Sequence, residues 1–310
     1  MMNKRETMLG LVNGQAPEGY TPAAFFLHFG PQFTKGRAAI ERHLEFFRYT
    51  GMDFVKIQFE QGLPEWTVSS PTDWAHARRL TEEDFAPTVE VVRGLVEAAG
   101  QEALVVLTLY SPFMWARHLA GDALLEQHLR DYPEEAAKAL EVSAENVLTL
   151  VRATKKAGLD GFYASTQGGE ATRFAGTDIF ERWIKPTDLR VWAEIGECAF
   201  NILHVCDFEE PYANLTPFLD YPGHVVNSPL HVGNRSMTPK EAAALFGRPF
   251  MGGLERKEAL ATGSPEDARR AAERVLAEKP ELFVLGADCT VPGETNWDNL
   301  KAAVDVAHGG

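Results

Sequence analysis

Two short stretches of this chain carry side chains that could act together on a metal ion. Residues 201–207 form an apolar run ending in His204-x-Cys206-Asp207, and residues 282–289 form a second apolar run ending on Cys289. In an extended strand, side chains at i and i+2 point to the same face. His204 and Cys206 can therefore aim at one point from one strand end, and Cys289 can complete a nitrogen, sulfur, sulfur set from another. Three protein ligands with a fourth position left open is how catalytic zinc is commonly held. The competing reading is packing: small buried cysteines behave as hydrophobes, with the histidine incidental. The third cysteine, Cys198, lies in a helical pattern and reads as buried filler.

The elements that must position these residues can be read from the alternation of patterns. Continuous apolar runs occur at 23–29, 54–59, 103–110, 161–165, 201–205, 224–227, 249–252 and 282–286. Unbroken apolar runs, rather than alternating ones, are expected of strands covered on both faces. Helical patterns separate them. Thr81 precedes an acidic turn, and that helix runs to Gly100. Thr238 and Ser264 each stand as N-cap, with proline at N1 and an acidic residue at N3, and residues 296–308 read as a closing helix. Such caps satisfy free N–H groups and suit the helix dipole.

Eight strands alternating with helices predict an α/β fold, a (β/α)8 TIM barrel over residues 1–310 as a single domain. Helical patterns around 121–130 and 133–156 predict an extra helix between the third and fourth strands. A doubly wound sheet is the alternative, but no glycine-rich phosphate turn follows the first run. Barrel enzymes work at the C-terminal ends of their strands. Those ends here carry His28, Glu60 and Gln61, Tyr110, Gln167, His204 with Cys206 and Asp207, Asn227, Glu255 and Cys289. His28 and Glu60 are candidate substrate-binding or catalytic groups. Asp207 is a candidate to orient His204, and Tyr110, Gln167 and Asn227 are candidate cofactor-binding residues. Phe113 and Trp115 could also line the mouth, and His231 could supply a fourth ligand. His43, His76, His118, His128 and His308 fall in helical or loop patterns and are expected at the surface.

Composition narrows the partners. With a formal net charge of −14, the chain is not built for nucleic acid or anionic membrane. No apolar stretch approaches the ~20 residues of a membrane helix, and no signal-peptide pattern opens the chain. Three cysteines do not form a disulfide framework. A cytoplasmic enzyme is the expectation.

Several segments resemble the uroporphyrinogen decarboxylase superfamily. They are Lys4 to Gly14, Trp183-Ile184-Lys185-Pro186, Gly252-Gly253-Leu254, Thr262 to Asp267, and Val291 to Thr295 with Asn299-Leu300. The resemblance implies a (β/α)8 barrel and two functional branches. The decarboxylases use no metal and carry an arginine-rich motif after the first strand and an aspartate near the second. Here those places read Gly30 to Arg37 and Gln58-Phe59-Glu60. The corrinoid-linked methyltransferases, such as the methylcobalamin:coenzyme M enzymes, carry zinc on His-x-Cys of the fifth strand and Cys of the eighth, which His204, Cys206 and Cys289 match. Cobalamin-independent methionine synthase adds a glutamate ligand, and the corresponding stretch 227–231 lacks one.

The resemblance thus implies a zinc-dependent methyltransferase acting on a thiol or related small-molecule acceptor. Its methyl donor would be methylcobalamin on a separate corrinoid carrier protein, and a homodimer is allowed. A decarboxylase acting on a tetrapyrrole, and a non-catalytic barrel that binds zinc or a tetrapyrrole, are the alternatives. The ligand set suits thiol chemistry. A free thiol is mostly protonated at neutral pH, and zinc removes that proton on coordination. Two cysteine thiolates cancel the metal's charge, so a bound substrate sulfur keeps its electron density.

Overall fold

The computed structural model describes residues 3–59 and 67–310. Its central feature is a parallel sheet of seven strands. These are β1 (Phe54–Ile57), β2 (Leu104–Tyr110), β3 (Gly161–Thr166), β4 (Ile202–Val205), β5 (Val225–Asn227), β8 (Phe250–Leu254) and β9 (Phe283–Ala287), in that order across the sheet. The intervening β6 (His231–Val232) and β7 (Arg235–Ser236) form a small antiparallel hairpin that the sequence pattern does not reveal. The strands of the main sheet are almost wholly buried, as unbroken apolar runs covered on both faces should be.

The expected closed ring of eight strands is corrected in one place. Residues 23–29 do not form a continuous strand. They touch the sheet through two isolated parallel bridges, Ala23 to Leu285 and Leu27 to Val291. The reason is local. The Ala23 N–H donates to the Asp53 carboxylate at 2.7 Å and the Phe25 N–H points to the Met52 sulfur at 3.0 Å. Backbone donors spent on side chains cannot extend a ladder. The sheet is therefore an open, incomplete barrel, with this segment lying between β9 and the chain entering β1.

Helices cover the outside. They are α1 (Lys4–Val12), α2 (Gly36–Thr50), α3 (Ala86–Ala99), α4 (Pro112–Ala120), α5 (Asp122–Asp131), α6 (Pro133–Lys156), α7 (Lys185–Ile195), α8 (Pro239–Phe246), α9 (Ala259–Thr262), α10 (Pro265–Ala277) and α11 (Trp297–Ala307). Thr238 and Ser264 cap α8 and α10 with reciprocal side-chain to backbone bonds, as their spacing predicts. The crossover after Tyr110 holds three helices rather than one plus an extra. The unforeseen one, α4, takes Phe113 and Trp115 away from the mouth and buries them. Arg5 of α1 forms a two-pronged pair with Asp160, at 2.9 and 2.5 Å, just ahead of β3. That contact fixes α1 at the N-terminal end of the sheet, opposite the candidate site. Among the described residues no helix is long and apolar enough to cross a membrane.

Two histidines expected at the surface are buried. The His43 Nε2 accepts the Gln58 N–H at 2.7 Å and its Nδ1 faces the Ala39 carbonyl at 2.6 Å. Burial pushes its pKa down to about 4, against the pull of that carbonyl. His128 accepts the Trp74 indole N–H at 2.9 Å. Both are packing partners, and sequence pattern cannot separate a buried helix face from an exposed one at a single residue.

Asp53 holds the irregular segment in place. It is fully buried and also binds Tyr20 Oη and, at 2.9 Å, His308 Nε2 beyond α11. Replacing Asp53 by alanine leaves the buried Ala23 N–H and the half-buried Tyr20 hydroxyl and His308 ring without this acceptor, and a buried donor left unpaired typically costs about 1–3 kcal/mol. Urea denaturation is expected to show a loss of about 3 kcal/mol; a loss below ~1 kcal/mol would contradict this role.

Candidate metal centre

The register of the sheet sets the site. His204 on β4 lies between Ser165 on β3 and Asn227 on β5. Cys206 follows at the strand end, where its N–H continues the ladder to the Thr166 carbonyl at 3.1 Å. Cys289 lies just beyond β9. All three are buried, and their ligand atoms lie within 4.8 Å of one another.

The distances can be tested against zinc. Tetrahedral bonds of about 2.3 Å to sulfur and 2.0–2.1 Å to nitrogen give edges near ~3.8 Å between sulfurs and ~3.5 Å between sulfur and nitrogen. Cys206 Sγ and Cys289 Sγ are 3.9 Å apart, and Cys289 Sγ is 3.4 Å from His204 Nε2. These two edges match the ion closely, and the third, between His204 and Cys206, lies within 4.8 Å. Among the described residues this is the one group of this kind. The two thiols also share a hydrogen bond. That bond, helped by His204 but opposed by burial, holds the Cys289 pKa well below the usual thiol range. The same bond and burial push Cys206 up.

Around these ligands the structure departs from sequence expectation. Asp207 lies near enough to His204 for their charges to interact but makes no hydrogen bond to it among the described residues. It binds Arg256 at 3.0 Å, and Arg256 binds Asp288 at 2.9 Å. Asp207 follows Cys206 and Asp288 precedes Cys289, so one guanidinium joins the two cysteine-bearing strand ends. Gly252 and Gly253 on β8 take φ of 144° and 101°, backbone that favours glycine, shortly before Arg256. Burial raises both carboxyls, Asp288 to about 7, while Arg256 pulls them down. Burial works against the Arg256 charge, but the two aspartates outweigh it and its pKa rises.

His204 Nδ1 has no hydrogen-bond partner among the described residues. The ring is held instead by Tyr163, stacked at 4.8 Å between centroids with 30° between planes. Tyr163 Oη donates to Asn227 Oδ1 at 2.6 Å, and Asn227 Nδ2 donates to the carbonyls of Met251 and Ala287 at 2.9 and 3.0 Å. Asn227 is thus placed behind the site, as a support for Tyr163.

A cavity of about 160 Å³ opens beside the three ligands. His28, Tyr110 and Gln167 line it, as does His118, which was expected only at the surface. Gln167 reaches Cys206 Sγ at 3.6 Å. Glu60 lies outside the described residues. His231 is an exposed hairpin residue bonded to Ser236 at 3.1 Å and is not in the ligand group. Sequence reasoning missed Lys56, Tyr163 and Arg256. Lys56 is buried on β1 with its ammonium 4.5 Å from the Phe26 ring and 4.9 Å from that of Tyr163, lining the cavity. A lysine inside an apolar strand was the available signal for it. Arg256 gave none, since charged residues surround it in sequence.

If the cysteines are ligands, Cys206→Ser should weaken zinc binding by more than ~100-fold, because hydroxyl is a poor zinc ligand at neutral pH. Chelator competition measures this, and wild-type affinity in the variant would contradict the assignment.

The family profile described as Uroporphyrinogen decarboxylase (URO-D) matches residues 50–310, and the chain belongs to that family. No curated protein matches it by sequence. Among solved structures, a methyltransferase from Methanosarcina mazei superposes with a TM-score of 0.75 at 15% identity, covering 99% of this chain and 98% of that one. A B12-independent methionine synthase from a Shewanella species, in complex with selenomethionine, gives 0.60 at 12% identity, covering 92% and 96%. At such identities the likeness is one of fold.

Proposed function

We propose that this member of the family is a zinc-dependent methyltransferase that moves a methyl group from a corrinoid or similar donor to a thiol or related acceptor. The observation that carries the reading is the set His204, Cys206 and Cys289, whose spacing suits a tetrahedral ion beside a cavity. Zinc, when bound there, would supply the Lewis acidity that strips the proton from an acceptor thiol and keeps the sulfur as a thiolate.

The chain's own residues account for the rest. His204 contributes no charge and the two cysteines contribute one negative charge each, so the centre leaves electron density on an added sulfur. Tyr163 and Asn227 fix the imidazole plane. Arg256 holds the two cysteine-bearing ends together and offsets part of the negative charge that gathers there. Met114 and Tyr110 give the cavity an apolar wall, and His28 and Lys56 place polar groups on its lining. On this reading residues 23–29 take the eighth place of a (β/α)8 barrel. The donor would arrive on a separate corrinoid carrier protein at the mouth, and the protein would work in the cytoplasm.

The family assignment itself favours a second reading, decarboxylation of a tetrapyrrole. The two are separated by one pair of assays on zinc-loaded protein: methyl transfer from methylcobalamin to a panel of thiols, and carboxyl loss from uroporphyrinogen. Methyl transfer that falls to background on zinc removal and returns on zinc addition is the expected result. Zinc-independent carboxyl loss with no methyl transfer would reject the methyltransferase, and turnover in neither assay would favour a binding protein.

A further inference from the structure

A centre with two cysteine ligands and a thiol substrate has a selectivity problem. On the methyltransferase reading, the methyl group must reach the acceptor's sulfur and spare the protein's own. Cys206 and Cys289 both line the cavity and are equally buried, at 6% and 4% exposure. Burial alone does not protect one over the other.

Their hydrogen bonding differs. Gln167 Nε2 lies 3.6 Å from Cys206 Sγ. A glutamine amide could in principle present either its oxygen or its nitrogen. Here the choice is forced. Gln167 Oε1 accepts from Arg117 Nη1 at 2.6 Å, and a guanidinium has donors only. The amide NH₂ must therefore face the sulfur. Arg117 is itself fixed: it pairs with Glu209, which also accepts from Arg173 at 2.8 Å, and Arg173 binds the buried Glu170 at 2.9 Å. Gln167 and Arg117 are both buried, and the Arg117 bond to Oε1 holds the amide in this orientation. The Phe208 backbone N–H also reaches Cys206. Cys289 meets Cys206 and His204 but no amide side chain among the described residues.

We infer that Gln167, oriented by Arg117, is a selectivity-determining residue that shields the Cys206 sulfur from methylation. The inference rests on the methyltransferase reading. When a thiolate attacks a methyl electrophile, its lone pair becomes the S–CH₃ bond, the bond to the leaving group breaks, and that group departs with its electron pair. The product thioether is only a weak acceptor. A donor bonded to the thiolate is lost along this path, so it raises the barrier to alkylation at that sulfur.

The test uses zinc-loaded full-length protein and methyl iodide, with iodide as the leaving group. Methylation of each cysteine is followed by peptide mass spectrometry. Gln167→Met keeps the length and removes the donor. It should speed methylation of Cys206 about tenfold, equal to about 1.36 kcal/mol, and leave Cys289 unchanged within about twofold. Buried Cys198, beyond α7, reports unfolding. If it labels in Gln167→Met, the nearly isosteric Gln167→Glu, which keeps an acceptor for Arg117, takes its place and should show the same acceleration at Cys206. Zinc-bound variant with an unchanged Cys206 rate, or with both cysteines accelerated alike, overturns the inference alone. Wild-type protein that takes up no zinc overturns the methyltransferase reading and the inference with it.

Discussion

The candidate site depends on one guanidinium shared between two carboxylates. Cys206 and Cys289 are 83 residues apart in sequence and 3.9 Å apart in space. What spans that separation is Arg256, between Asp207 beside the first cysteine and Asp288 beside the second. Without it, two half-buried carboxylates and two buried sulfurs would crowd negative charge into one region, and the strand ends would repel. A buried ion pair adds little net stability. Removing one partner from such a set is costly, however, and that fixes its geometry. Asp288 also accepts the N–H groups of Arg256 and Cys289, each at 2.9 Å, so the clamp acts on the backbone that carries the ligand.

The parallel sheet supplies the other half of the arrangement. Parallel strands in register bring equivalent ends to one face, and β3, β4 and β5 place Ser165, His204 and Asn227 in one row. Tyr163 and Asn227 then turn this row into a support for the imidazole. The opposite end is closed by α1 through Arg5 and Asp160. The irregular segment near Ala23 keeps its place by side-chain bonds to Asp53 rather than by a full ladder.

The repeating parts of this structure are legible in the sequence. Seven of the eight expected strands form within a few residues of their apolar runs, because strands buried on both faces are built from short unbroken apolar runs. Capped helices such as α8 and α10 begin where Thr238 and Ser264 say they should. The convergence of His204, Cys206 and Cys289 follows from strand ends alone. What sequence does not disclose depends on tertiary approach. The bonds that interrupt the ladder at residues 23–25 come from Asp53 and Met52, some 30 residues on. The partner of Asp207 lies in the loop after β8, and nothing in Glu255-Arg256-Lys257 marks which charge turns inward. Asn227 reads as a mouth residue because it ends a strand, yet its amide is used up on Tyr163 and two carbonyls.

The most direct measurement is X-ray absorption at the zinc edge, on protein loaded with one equivalent of zinc, before and after a thiol acceptor is added. The account predicts a first shell with two sulfurs at about 2.3 Å and the remainder nitrogen or oxygen at about 2.0–2.1 Å, rising to three sulfurs with the acceptor. A shell without sulfur, or a sulfur count that stays at two when a turned-over thiol is present, would contradict it.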